Sequence, residues 1–194
     1  TEYNTIGKDK VVELMKAEVE AGVALTEEVM NAKFGTKGEA FPLLLSVRSG
    51  ARVSMPGMMN TVLNLGMNDD AVKILAEKSG NEKFAYDSYR RFIQMYGEVV
   101  MGVEAEGDEH CPFEQVLDKV KADKGYSADN EMSVEDLKGV VEAFKAVVKD
   151  KVGVNFPTDP WDQLWGAVCA VFDSWNTERA ILYRRMENIP EEWG

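Results

Sequence analysis

Arg48 is the residue of this chain whose setting most clearly suggests chemistry. It follows the short apolar run 43–47 and opens a segment in which small and hydroxylated residues recur, namely Ser49, Gly50, Ser54 and Gly57. Glycine lets the backbone approach a ligand closely, and arginine offers a planar, forked cation that matches the oxygens of a phosphate. The segment is therefore predicted to be a loop that cradles phosphate groups with backbone and hydroxyl donors.

In this interpretation Arg48 is a catalytic phosphate clamp, which offsets negative charge as the terminal phosphoryl group leaves ATP. A second interpretation stays open, in which Arg48 pairs with a carboxylate beside the strand. The segment is neither a Walker A motif, since it lacks Gly-Lys-Ser/Thr, nor a dinucleotide fingerprint. Three methionines lie within it and could contact adenine or fill the base of the loop: Met55, Met58 and Met59.

Other arginines are candidates for binding or for structural pairing. Arg90 and Arg91 follow Asp87 on a predicted helix, so one is expected at the surface and the other in an ion pair. Arg91 is also a candidate for docking a partner domain. Near the end of the chain Arg179, Arg184 and Arg185 could face phosphate or another domain, or form structural ion pairs, and Arg179 is the docking candidate there.

Composition limits the class of partner. The chain has 194 residues, and its 22 Lys and Arg against 34 Asp and Glu give a net charge of −12. This balance argues against nucleic acid and against an anionic membrane surface as partners. No apolar run reaches membrane-spanning length. No signal peptide is visible, but this absence is uninformative because both ends of the chain look cut; a soluble, intracellular protein is the expectation.

The metal-ligating residue types are sparse. His110 is the only histidine, which excludes a histidine-based zinc site and a Ser-His-Asp triad. Cys111 and Cys169 lack metal-ligand spacing and are expected to be buried or free thiols in a reducing compartment. No acidic cluster suited to Mg²⁺ is evident, so no metal site is predicted within the chain.

Apolar periodicity predicts mostly helices. Within the segment 8–33 we expect a helix that is broken near Gly22 and resumes through Thr26 to Met30, followed by a turn-rich connector over 34–38. A buried strand is predicted at 43–47, while 60–65 could be a helical turn or a short strand. Further helices are expected at 69–78, at 81–102, around 113–120, from Ser133 to 148 and from Asp159 to 175, followed by a return strand at 182–186. The N-cap candidates of the first of these are Asn68, Asp69 and Asp70.

These elements define the predicted architecture. The class is α+β and predominantly helical, with a helical subdomain on a small strand-containing base. Residues 1–67 would form a partial nucleotide-binding subdomain with the phosphate loop, 68–178 the helical subdomain, and 179–194 a truncated return strand. The stripe of the last long helix is expected to be core: Trp161, Leu164, Trp165, Val168, Phe172 and Trp175.

Three stretches resemble a known family. They are SVRSGARVSMPGMMNTVLNLGMND at 46–69, FAYDSYRRFIQMYGEVVMGV at 84–103 and RAILYRRMENIPEEWG at 179–194. Together they closely resemble the pyruvate, phosphate dikinases, and the likeness runs almost end to end. By matched motif, Arg48 corresponds to the family's phosphate-binding arginine, and residues 49–59 correspond to the family's loop over the ATP phosphates. Among the three methionines of this loop, the resemblance makes Met59 the best candidate for contact with adenine.

The resemblance implies an ATP-grasp-like domain of a larger enzyme. That enzyme would interconvert ATP, phosphate and pyruvate with AMP, pyrophosphate and phosphoenolpyruvate, using Mg²⁺. The partners of the ATP-grasp-like domain would be a phosphohistidine domain and a pyruvate-binding barrel of the same parent chain. The parent enzyme could form a homo-oligomer and would be located in the cytoplasm or in a plastid. The metal ligands and most of the adenine pocket would lie outside this chain, so we expect the fragment alone to have no turnover and at most weak affinity for ATP.

Two alternatives remain at this stage. A phosphoenolpyruvate-synthase-like dikinase would use water instead of phosphate, although the run SGARVSMPGMM favours the phosphate-using enzyme. A non-catalytic helical interaction module is the alternative from another class, with the predicted helix 81–102 as its surface. At position 60 this chain has Asn, whereas the family commonly has Asp after Pro-Gly-Met-Met. This difference puts a metal-linked role of Asn60 in doubt.

Overall fold

The computed structural model describes residues 2–35, 40–105, 107 and 110–193. Eight α-helices occur in this part of the chain: α1 (Glu2–Ile6), α2 (Lys8–Met30), α3 (Asp69–Ser79), α4 (Glu82–Val99), α5 (Pro112–Lys124), α6 (Val134–Val152), α7 (Pro160–Asp173) and α8 (Glu178–Met186). Four short strands accompany them: β1 (Ala32–Phe34), β2 (Phe41–Leu43), β3 (Leu45–Arg48) and β4 (Thr61–Leu65). The predicted class, α+β and predominantly helical on a small strand-containing base, is confirmed.

Helix α2 is continuous, so the predicted break near Gly22 is wrong. A glycine inside a helix costs only about 1 kcal/mol relative to alanine, and the strong helix formers around it outweigh that cost. The buried residues of α2 are Val11 and Val23, and Val23 belongs to the main hydrophobic core. The helix ends at Met30, as predicted, and the residue that follows, Asn31, adopts a left-handed conformation with φ 48°. Most of the predicted connector 34–38 lies outside the described residues.

The predicted single strand 43–47 is two strands in two different sheets. In the parallel pair β1–β2, Leu43 lies opposite Phe34, whereas in the antiparallel pair β3–β4 Leu45 lies opposite Leu65. The chain therefore changes sheets at Leu44. Strand β3 alternates half-buried and exposed residues instead of being buried, because only one of its faces meets the core. The undecided segment 60–65 is a strand, β4.

Local capping sets the beginnings of three helices as the sequence predicts. The Asn68 side chain accepts hydrogen bonds from the backbone N–H groups of Asp70 and Ala71, at 3.1 and 2.8 Å. Ser133 Oγ and Asp159 Oδ1 cap α6 and α7 in the same way. Each cap satisfies backbone donors that the first helical turn leaves without partners.

The main core is formed by the packed helices α3, α4, α5 and α6, and it extends to the strands where α3 contacts β2 and α4 contacts β4. Its largest fully buried side chains include Tyr89, Phe92, Phe113 and Phe144. The close fit of α4 against α5 requires a glycine, because a Cβ at Gly97 would lie 2.6 Å from the Phe113 ring. None of the helices in the described residues is both long enough and apolar enough to cross a lipid bilayer.

Helix α7 buries a different face from the predicted one. Its buried residues are Pro160, Gln163, Leu164, Ala167 and Val171. Of the predicted stripe, Leu164 and Trp175 are buried, whereas Trp161, Trp165, Val168 and Phe172 are only half-buried. The difference arises because one side of α7 lines open clefts, so large apolar residues on that side keep part of their surface exposed.

The predicted return strand at 182–186 is wrong, because residues 178–186 form helix α8. The buried residues of this segment are Ala180 and Arg184, four positions apart, which is helical spacing. Leu182 and Met186 are exposed, so the apolar letters that suggested a strand do not face a core. The division of the chain into subdomains stays a prediction.

Candidate phosphate-binding site

Arg48 is the last residue of β3, where it lies opposite Thr61 of β4. Its side chain is exposed. Among the described residues no carboxylate or other group forms an ion pair or hydrogen bond with it. The described part of the chain therefore contains no partner for the alternative in which Arg48 neutralises a neighbouring acid, and its guanidinium is available to a ligand.

Two clefts meet at Arg48. One, of about 590 Å³, is mainly apolar and lies between β3 and α7, with Val47, Val171 and Phe172 among its walls. The other, of about 460 Å³, is enclosed by the loop that links β3 to β4. Among the described residues, the lining of both clefts includes the cations Arg48 and Arg52 and no Asp or Glu. Their charge suits an anion.

The linking loop, residues 49–60, contains every other phosphate-binding residue predicted from the sequence. Ser49, Ser54, Gly57 and Met59 line the loop cleft, and Gly50 lines the apolar one. Gly57 has φ 75°, a conformation that side chains disfavour. No heavy atom lies within 4 Å of the place where a Cβ would project from Gly50 or from Gly57. The backbone is thus open to a ligand at both glycines.

The three methionines of the loop have different surroundings. Met55 is buried in a small hydrophobic cluster with Trp175 and Ala180, so it fills the base of the loop. Met58 and Met59 are half-buried against the same cluster. Only Met59 lines both clefts, which leaves it as the methionine best placed to contact a ligand.

Sequence reasoning missed the groups that hold this loop. Ser174 Oγ accepts a hydrogen bond from Asn60 N at 3.1 Å, and Arg179 donates to Met58 O and to Asn60 Oδ1. No sequence signal links position 60 to position 174, because the contact joins residues 114 apart. Arg52 was also overlooked although it lies in the selected segment, and its guanidinium lies 4.6 Å from the Trp193 ring centre.

The other candidate arginines have defined partners. Arg90 is buried and donates to Asp87 at 2.8 Å and to Asp129 at 3.2 Å. Arg91 is exposed and pairs with the second oxygen of Asp87 at 2.9 Å. Both arginines thus share one carboxylate, and only Arg91 is accessible. Arg184 is buried over the Trp175 ring, which leaves Arg185 as the exposed member of that pair.

Metal-ligating groups do not converge at these clefts. The described residues contain no group of three or more His, Cys, Asp and Glu that could hold a metal ion. The amide oxygen of Asn60 already accepts a hydrogen bond from Arg179. Cys111 and Cys169 are separate free thiols, and burial raises the pKa of each. The residues described here therefore do not fit a Mg²⁺ ion by themselves.

Comparison with known proteins identifies the family. The model of the family described as "Pyruvate phosphate dikinase, AMP/ATP-binding domain" matches residues 3–194. The chain belongs to this family. The resemblance inferred from the three motifs is thereby confirmed, and the loop beside Arg48 is part of an AMP/ATP-binding domain.

Relatives from bacteria and plants agree. Pyruvate, phosphate dikinase from Clostridium symbiosum is 52% identical over 195 residues, which cover 100% of this chain and 21% of the relative. The enzyme from Rhizobium meliloti is 49% identical over 180 residues, covering 93% and 19%. A chloroplastic enzyme from Arabidopsis thaliana is 47% identical over 188 residues, covering 97% and 19%. The chain thus spans about a fifth of the length of the curated relatives it matches.

Proposed function

We propose that this chain is part of the ATP-binding domain of a pyruvate, phosphate dikinase, and that Arg48 binds the phosphates of ATP. The observation that carries the proposal is the setting of Arg48, an exposed guanidinium without an acidic partner among the described residues, where two clefts meet. The parent enzyme would interconvert ATP, phosphate and pyruvate with AMP, pyrophosphate and phosphoenolpyruvate.

The chemistry of the site follows from its donors. The guanidinium of Arg48 can donate two parallel hydrogen bonds to phosphate oxygens, and its charge opposes the negative charge that develops on them during transfer. The hydroxyls of Ser49 and Ser54 and the open backbone at Gly50 and Gly57 add donors around the same cleft. Because the site is held at the end of a paired strand, these donors need little reorganisation when ATP binds.

The remaining parts of the enzyme would come from outside this chain. Mg²⁺ is bound in proteins by carboxylate ligands, and the described residues that line the two clefts include none, so its ligands would lie elsewhere in the ATP-grasp-like domain. The phosphohistidine and barrel domains would be supplied by the same parent chain. The parent enzyme would form a homo-oligomer and be located in the cytoplasm or in a plastid. Arg91 and Arg179 are proposed to contribute to domain docking. The chain alone is expected to bind ATP weakly and not to turn over.

Substitution of Arg48 in the full-length enzyme tests the proposal. We expect Arg48→Ala to lower the rate of ATP-dependent phosphorylation by about 10²–10³-fold, the usual cost of removing one donor to a developing charge. Arg48→Lys should recover only part of this loss, because an ammonium cannot bind a phosphate bidentately. Lys149→Ala, which removes an exposed cation in the last turn of α6 that lines neither cleft, is the control and should leave the rate unchanged.

The same experiment separates the alternatives. If Arg48→Ala phosphorylates at the normal rate but loses a binding partner, the chain is an interaction module and the proposal is wrong. If phosphorylation needs Arg48 but the complete reaction proceeds with water in place of inorganic phosphate, the parent is a phosphoenolpyruvate-synthase-like dikinase. A reaction that requires inorganic phosphate and releases pyrophosphate supports the assignment made here.

A further inference from the structure

The end of the phosphate loop is fixed by a buried hydroxyl at the corner between α7 and α8. Ser174 is 1% exposed, and it follows the last residue of α7. Its Oγ accepts a hydrogen bond from Asn60 N at 3.1 Å and donates one to Val171 O at 2.6 Å. One hydroxyl thus uses its donor and an acceptor position to tie the loop to the last turn of a helix.

Arg179 grips the same part of the loop from the first turn of α8. Its Nε donates to Met58 O at 3.2 Å, and its Nη2 donates to Asn60 Oδ1 at 2.5 Å. Because the guanidinium is rigid and planar, two bonds to residues two positions apart fix both the place and the orientation of this segment. Ser174 and Arg179 are called the loop clamp below.

The loop clamp holds the residue that precedes Thr61, the strand partner of Arg48. Residue 60 runs directly into Thr61, and Thr61 is the β4 residue that lies opposite Arg48. A shift of the segment 58–60 would therefore change the pairing that holds the Arg48 backbone. It would also move Met59, which lines both clefts.

The corner that carries the loop clamp is itself held by packing. Arg184 donates to Trp175 O at 2.5 Å, and its guanidinium lies 4.2 Å from the Trp175 ring centre. Trp175 and Ala180 in turn enclose Met55 of the loop. The clamp residues therefore project from a fixed platform, which is the condition for positioning a neighbouring loop with precision.

We propose that Ser174 and Arg179 are positioning residues of the nucleotide site, which hold the Asn60 end of the phosphate loop in the conformation that places Arg48. This inference rests on the proposed function. It gives Arg179 a role within this chain, in addition to the docking role proposed above, and makes Asn60 its direct partner.

A double-mutant cycle in the full-length enzyme tests the loop clamp. The variants are Asn60→Ala, Arg179→Ala and the two combined, compared by kcat and KM for ATP in the phosphorylation step and by Tm. We expect each single change to lower kcat by about 10-fold, since small displacements of reacting groups cost up to about 100-fold. The combined change should be no worse than Arg179→Ala alone, because both remove the same contact.

Conservative variants provide a readout that a general loss of stability would not reproduce. Asn60→Asp should keep kcat at or above the original value, because a carboxylate accepts a charge-assisted bond from Arg179. Arg179→Lys should stay as impaired as Arg179→Ala, since an ammonium cannot reach Met58 O and Asn60 Oδ1 in the same fixed geometry. Ser174→Ala should speed hydrogen exchange of the Asn60 amide.

The outcomes distinguish this inference from the function on which it rests. If the Arg48→Ala substitution leaves the rate of phosphorylation unchanged, the proposed function itself fails. Suppose instead that Arg48→Ala lowers the rate of phosphorylation but Asn60→Ala leaves kcat unchanged, and that the double variant shows the summed effects of its two single changes. Arg179 then acts only in docking, and the loop clamp is wrong. A fall in Tm that accounts for all lost activity would likewise overturn the positioning role.

Discussion

Gln163 offers the sharpest test of how the fold supports the site. Its side chain is fully buried in α7. Oε1 accepts a hydrogen bond from Gly66 N at 2.9 Å, while Nε2 donates to Met67 O at 3.0 Å and to Pro157 O at 2.8 Å. One amide therefore joins α7 to the residues that follow β4 and to the segment that precedes α7.

Replacement by leucine keeps the volume but removes all three bonds. The buried N–H of Gly66 would then lack a partner, at a cost of about 1–3 kcal/mol, and each of the two carbonyls would lose about 0.5–1.5 kcal/mol. We expect Gln163→Leu to lower the free energy of unfolding by about 4 kcal/mol in total. For a chain of this size that corresponds to a fall in Tm of about 8–16 °C.

Gln163→Glu is the matched companion, because the new side chain can still accept from Gly66 N but would place a carboxylate against two carbonyl oxygens. Burial and those oxygens would raise the pKa of the introduced carboxyl above its unfolded value of about 4.3. Relative to the original chain, its stability should therefore be greatest below that pH and fall as the pH rises through the raised pKa. Gln163→Leu should show a constant loss.

Urea unfolding followed by circular dichroism, between pH 5 and pH 8, measures both effects. The reasoning is refuted if Gln163→Leu unfolds within about 1 kcal/mol of the original chain, because three lost bonds to buried groups cannot cost so little. It is also refuted if Gln163→Glu keeps a constant offset from the original chain across this range of pH.

Two further predictions concern glycine packing and acid stability. Gly166→Ala should lower the free energy of unfolding by about 1–3 kcal/mol, because the new Cβ would lie 2.3 Å from the hydroxyl oxygen of Tyr96. Gly139→Ala, in open space on α6, should raise the free energy of unfolding by up to about 1 kcal/mol. Equal effects of the two substitutions in thermal unfolding would contradict this reasoning. Hydrogen bonds from Ser133 and Tyr126 and the charge of Lys124 lower the pKa of Asp136 to about 2. Its stabilisation is present above its unfolded pKa of about 4 and lost as the pH falls towards 2, so Asp136→Asn should flatten the acid-unfolding profile, and an unchanged profile would count against the assignment.

Features that depend on neighbouring residues could be predicted from the sequence. The caps Ser133 and Asp159 bond to backbone groups two or three residues away, so the residue type and its place before an apolar stripe were sufficient. Asn68 caps α3 in the same way, although the sequence left Asn68, Asp69 and Asp70 as candidates. The loop after β3 was recognisable for the same reason, because its glycines, serines and Arg48 are contiguous.

Features that depend on distant contacts could not. The segment 43–47 is uniformly apolar, and only its pairing with Phe34 on one side and Leu65 on the other divides it into β2 and β3. The apolar residues Leu182, Tyr183 and Met186 suggested a strand, but the segment 178–186 is a helix that buries Ala180 and Arg184. The contact of Arg184 with Trp175 could not be recognised from the linear pattern.

The sequence by itself determined the family, the predominantly helical class and the chemistry that Arg48 and its loop could perform, because these are written in adjacent residues. Tertiary structure alone decided that Arg48 has no acidic partner among the described residues, that Met55 is buried while Met59 faces the clefts, and that Ser174 and Arg179 hold the loop. The physical reason is range. Capping and backbone freedom act within one turn of chain, whereas the position of a loop depends on hydrogen bonds and burial between residues more than a hundred positions apart.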